Sequence, residues 1–154
     1  MDNPADHQCE QWFALKRDPT LCDPDLHAIG VRQCEANASK LEVMNFTRVF
    51  VSPMQRALQT AIHMFKTHPN KENIVFIVLP LIHEYFNTSN DIPADCYKVM
   101  ERYAVGNAEC HGLKFDFSML MAQAVPQMWC IDSLTNVEKR SKLMSKMPAQ
   151  ATWE

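Results

Sequence analysis

The sequence predicts an α/β fold with a small parallel sheet, its strands near 48–52 and 74–79, flanked by helices. Three observations predict it. Arg48-Val-Phe-Val-Ser52 is a short β-branched and aromatic run. Ile74-Val-Phe-Ile-Val-Leu79 is continuously apolar, as expected of a parallel strand covered on both faces. Between them Met54, Leu58, Ala61, Ile62 and Phe65 recur at helical spacing, completing a βαβ unit.

The elements follow in order. Met1 to Asp23 is polar and interrupted by Pro4 and Pro19, with room for a helix within Gln8 to Lys16. Thr20 to Leu26 reads as loop and turn, because Asp-Pro favours turns. Asp25 is placed to cap a helix carrying Leu26, Ile29, Cys34 and Leu41 on or near one face. Gly30 weakens that helix unless close packing needs a small residue there. After the first strand, Ser52 reads as an N-cap, Pro53 as the first helical residue and Gln55 as the partner in a capping box. His68-Pro-Asn70 ends that helix. Beyond Pro80 the chain is irregular: a loop over 87–91, a helix over 94–103 starting near Asp91 or Pro93, and an ambiguous Phe115-Asp-Phe-Ser118. Helices are expected from Ser118 toward Met128 and from Asn136 to Met147, the latter with a basic outer face that reads as solvated.

Composition excludes several function classes. The 154 residues fit one domain, 1–154, with a net charge of -3 and no basic footprint for nucleic acid. No stretch reaches the roughly 18 apolar residues of a membrane span, and the polar, acidic N-terminus reads as neither a signal nor a transit peptide. A cytoplasmic, intracellular location is expected. The six cysteines form no CxxC pair, which argues against a zinc knuckle; in an intracellular chain they read as free thiols, several of them buried. Only three glycines occur, and they do not cluster, so phosphate-cradling glycine loops are absent. No metal set and no cofactor is expected.

Two strand ends carry the candidate chemistry, since ligands of open α/β sheets bind at the carboxyl ends of the strands. At the first, Ser52 leads into a helix whose N-terminus offers unpaired N–H groups, and Arg56 in its first turn adds a fork that can hold a phosphoryl group. The same residues also describe an ordinary capped helix with a surface arginine. At the second, Leu79-Pro-Leu-Ile-His-Glu84 brings up a carboxylate that could protonate a leaving group if burial raised its pKa; otherwise Glu84 is a solvated loop residue.

These residues also carry a resemblance. Ser52-Pro-Met-Gln-Arg-Ala-Leu-Gln-Thr-Ala61 closely resembles the Ser-Pro-x-x-Arg-Ala-x-Gln-Thr-Ala signature of the histidine phosphatase superfamily, the phosphoglycerate mutase-like proteins. Asp23 to Gln33 is similar to the family's preceding segment, Pro80-Leu-Ile-His-Glu84 to its Leu-x-Glu segment, and Phe115-Asp-Phe-Ser118 to a Val-Asp-Phe-Ser stretch in one branch. The resemblance implies a three-layer fold and phosphoryl chemistry through a phosphohistidine intermediate. It makes Arg56 and Ser52 phosphate-binding residues and Glu84 the general acid. The family's Arg-His-Gly motif, which carries the nucleophile, does not occur in these 154 residues. His7 is a poor substitute, and His111-Gly112 lacks a preceding apolar strand and reads as a loop.

The expectation is therefore an incomplete phosphoglycerate mutase-like domain, lacking the first strand and the C-terminal part of the fold. It would be catalytically deficient and would keep a residual phosphate-binding half-site. The alternatives are an active phosphomonoesterase whose parent chain supplies the nucleophile, and an interaction subunit reusing the scaffold. Expected partners are a phosphorylated small molecule or phosphoprotein, and a second copy or another protein covering exposed sheet edges, with neither nucleic acid nor membrane.

Overall fold

The structure, a computed structural model, describes residues 18–82, 84 and 88–122. Three strands form one parallel sheet: β1 (Arg48–Val51), β2 (Val75–Val78) and β3 (Phe115–Asp116), in the order β1-β2-β3. Val49 lies opposite Phe76, and Phe76 opposite Phe115. The helices are α1 (Ala28–Glu42), α2 (Gln55–Phe65), α3 (Cys96–Arg102) and α4 (Ser118–Ala122).

The predicted βαβ unit is present, running β1, α2, β2. Leu58, Ala61, Ile62 and Phe65 recur on one face of α2 and are buried against Val51, Phe76 and Val78 in one apolar cluster. An edge-to-face chain of rings runs through it, with Phe65 packed at 5.2 Å on Phe76 and at 5.1 Å on Phe46. α1 packs along α2, and Lys66 of the C-cap reaches Glu35 at 2.6 Å.

Several expectations need correction. The ambiguous Phe115 segment supplies a third strand, so the sheet is not two-stranded. Its two residues are too few for a period, and only the pairing with β2 defines them. β2 is not covered on both faces: Phe76 and Val78 are buried, but Val75 is 42% exposed. α1 is capped by His27, whose Nδ1 accepts from the Ile29 amide at 3.2 Å, not by Asp25. Asp25 instead binds Arg102. Leu26 precedes α1 and covers Gly30, where an added Cβ would sit 2.7 Å from the Leu26 side chain; Ile29 faces outward. α3 begins at Cys96 behind an Asp95 cap rather than near Asp91 or Pro93. The helices expected within 8–16 and 136–147 lie outside the described residues, as does the one from Ser118 beyond Ala122.

His68 ends the α2 region by an interaction its sequence does not announce. Its ring is buried between Phe46 and Phe65. Nδ1 accepts the Asn70 amide at 3.1 Å, so Nε2 is the donor to the Met44 carbonyl, also at 3.1 Å. Cys22, Cys34, Cys96 and Cys110 are free thiols, and Cys34 and Cys110 are buried; Cys9 and Cys130 lie outside the described residues. Among the described residues no helix is long and apolar enough to cross a membrane.

Candidate functional site

β1 delivers Ser52 to its carboxyl end, and the chain turns through Pro53 and Met54 into α2. The turn differs from the expected capping box. Met54, not Ser52, is the N-cap; its side chain is buried and makes no cap bond, a thioether being a weak acceptor. Gln55 is the first helical residue. The half-buried Ser52 Oγ accepts the Met54 amide at 3.5 Å. Gln55 turns its own amide group away, donating from Nε2 to the Asp23 carbonyl at 2.8 Å.

The missing cap is supplied from 32 positions upstream. Asp23 is 1% exposed and sits in the left-handed region, φ 43°. Its Oδ1 accepts the Gln55 amide at 2.9 Å, and its Oδ2 accepts the Ala94 amide at 3.0 Å. Burial raises its pKa above the usual carboxylate value. The two backbone bonds and, more weakly, the charge of Arg56 act the other way without reversing it.

Arg56 leaves the first turn of α2 and meets the 88–91 turn. Its Nη1 donates to the Asn90 carbonyl at 2.6 Å, and its Nη2 pairs with Asp91 Oδ1 at 3.3 Å. The Asp91 carboxylate is fixed by its own turn: Oδ2 accepts from the Thr88 amide at 2.9 Å and from Thr88 Oγ at 3.1 Å, in a capping box. Ser52 and Arg56 line one cavity of about 420 Å³, walled by Leu26, Phe50, Ala57 and Thr60. Glu84 lies past the 3-10 turn Pro80–Ile82 that follows β2, is exposed, and is not among the lining residues.

A second polar cluster ties the loop before α1 to α3. Arg102 holds both Asp25 oxygens (2.6 and 3.1 Å) and Glu109 at 3.0 Å, and also donates to Gln55 Oε1. The fork–fork contact holds the Asp25 carboxyl below its ordinary pKa. Next to this cluster a cavity of about 280 Å³ is lined by His63, Tyr103 and His111 among others. Burial pushes the Tyr103 hydroxyl up to about 12. His111 and Gly112 form a left-handed turn, φ 48° and 87°, in agreement with their reading as a loop. No group of three or more His, Cys, Asp or Glu able to hold a metal occurs among the described residues.

The arrangement can hold an anion through Arg56 beside Ser52. Among the described residues it brings no histidine to that cavity. Sequence reasoning missed Asp23, Asn90 and Asp91. Thr88-Ser-Asn-Asp91 has capping-box spacing that locates the Asp91 turn, but nothing local announces its pairing with Arg56, 35 positions away.

The family model of the histidine phosphatase superfamily (branch 1) matches residues 10–84. The match contains the β1-α2-β2 unit with Ser52 and Arg56 and ends on Glu84; the similarity noted at Phe115 lies beyond it. Comparison with curated proteins and with solved structures finds no match to either.

Proposed function

We propose, for a chain whose residues 10–84 match the family model of the histidine phosphatase superfamily, a phosphate-binding half-site that does not turn over phosphate esters by itself. One observation carries this reading: Arg56, in the first turn of α2, shares a cavity with Ser52 at the carboxyl end of β1. A guanidinium there offers two parallel donors to a phosphoryl group. Glu84 is poorly placed as a general acid in this reading, because it is exposed and does not line the cavity of Arg56 and Ser52. The sequence holds no Arg-His-Gly segment, so the nucleophile that would make the reaction covalent is missing from these residues.

Titration with inorganic phosphate or vanadate tests the binding half. The melting temperature should rise at millimolar anion and fail to do so in Arg56→Ala. An aryl phosphate assay tests the other half: hydrolysis by the 154-residue chain that disappears in Arg56→Ala would sink the non-catalytic reading.

The open edge of β1 favours a second reading, an interaction subunit. Thr47 and Val51 carbonyls accept from Val75 and Leu79 on the β2 side, so the amides and carbonyls of Arg48 and Phe50 point to the opposite edge. No strand pairs there among the described residues. Phe50 is 37% exposed on that strand. A second copy or an extended segment of another protein would satisfy this edge.

A further inference from the structure

We infer that Asp91 is a built-in competitor for the Arg56 anion site, so that a phosphoryl group binds by taking the guanidinium away from it. The inference rests on the phosphate-binding reading above and deepens it. Both terminal nitrogens of Arg56 are already engaged by one turn, Nη1 by the Asn90 carbonyl at 2.6 Å and Nη2 by Asp91 at 3.3 Å. The ion pair is a single long contact from one carboxylate oxygen, although the fork can take two parallel bonds from one anion. A phosphoryl group, with more oxygens and more charge, matches the fork better than this carboxylate does.

Asp91 cannot simply swing aside. Its Oδ2 is held by the amide and the hydroxyl of Thr88, and its side chain is 13% exposed. When Arg56 turns to a phosphoryl group, the carboxylate stays near the guanidinium's end of the site and loses its contact with Arg56. Repulsion and lost pairing both weaken phosphate binding. The first amide of α2 already donates to Asp23, so it is not offered to an external anion. Arg56 is the charged donor of the cavity, and Asp91 sets how much of it an external anion can use.

The test compares inorganic phosphate affinity, by calorimetry, in the full chain and in Asp91→Asn, Arg56→Ala and the double variant. Asn keeps an oxygen for the Thr88 donors and removes the charge. Asp91→Ser, which also keeps a hydroxyl acceptor, serves if the Asn variant unfolds. The expected result is a Kd about tenfold lower in Asp91→Asn, with the gain erased when Arg56 is also replaced. Equal Kd in the unmodified chain and both Asp91 variants, with binding still lost in Arg56→Ala, overturns the competitor while leaving the phosphate site standing. A gain that survives Arg56→Ala also overturns it, because the charge would then act through something other than the guanidinium. Absence of binding in every protein overturns both readings.

Discussion

Arg56 is held by partners 34 and 35 positions along the chain, and a second long-range ion pair ties the loop before α1 to α3. Asp25 meets Arg102 across 77 positions. Its folded pKa lies below the ordinary 3.8 because of that partner. A carboxylate with a depressed folded pKa binds more protons when the chain unfolds, so its contribution is present above about pH 4 and is lost as the pH falls. The melting temperature should drop on acidification from about pH 5 to 3, with a shallower slope in Asp25→Asn; an unchanged slope would remove Asp25 from the account. His68 is a second single-residue case. Replacing it by Phe keeps the ring packing but orphans the Met44 carbonyl and the Asn70 amide. Urea titration should show a loss of about 1–3 kcal/mol.

At the scale of elements, α2 depends on a cap from outside itself. Its N-cap is a buried methionine, and Asp23 accepts the Gln55 amide in its place. Asp23→Ala should cost about 1–3 kcal/mol, by leaving the Gln55 and Ala94 amides without their acceptor. The pH dependence is opposite to that of Asp25. Burial raises the folded pKa of Asp23, so the folded chain binds the extra proton, and its contribution declines as the pH rises through the interval above the usual 3.8. The stability gap between the unmodified chain and Asp23→Ala should therefore narrow as the pH rises above the usual carboxylate value, in denaturant titrations. The packing of α2 has its own test. Leu58 is fully buried, and Leu58→Ala should destabilise by about 2–5 kcal/mol.

For the whole molecule, the open question is the sheet edge. Among the described residues all three strands are parallel, and β1 lies on the outside with Phe50 exposed. An apolar edge strand with unpaired backbone groups is a template for another strand. Sedimentation of the chain should show concentration-dependent association, and Phe50→Lys should suppress it without changing the melting temperature of dilute protein. A sedimentation coefficient independent of concentration in both would remove self-pairing at β1. Much of this architecture was legible from residues 48–79, where apolar runs and helical spacing are strong and local. Less was legible after Pro80. β3 has only two residues, α3 only seven, and their bounds come from pairing with β2 and from the Asp95 cap.

The sequence by itself determined the α/β class, the β1-α2-β2 unit, the superfamily signature and the placement of Arg56 at a strand's end. Each depends on periodicity or on a contiguous motif, and such patterns survive in a linear string. Only the tertiary structure decided what surrounds Arg56. It put Asp91 on the guanidinium, Asp23 on the first helical amide, and Glu84 outside the cavity. Those outcomes depend on where loops more than thirty residues apart come to rest. A carboxylate in a turn-rich segment looks the same in sequence whether it stays at the surface or meets a half-buried arginine.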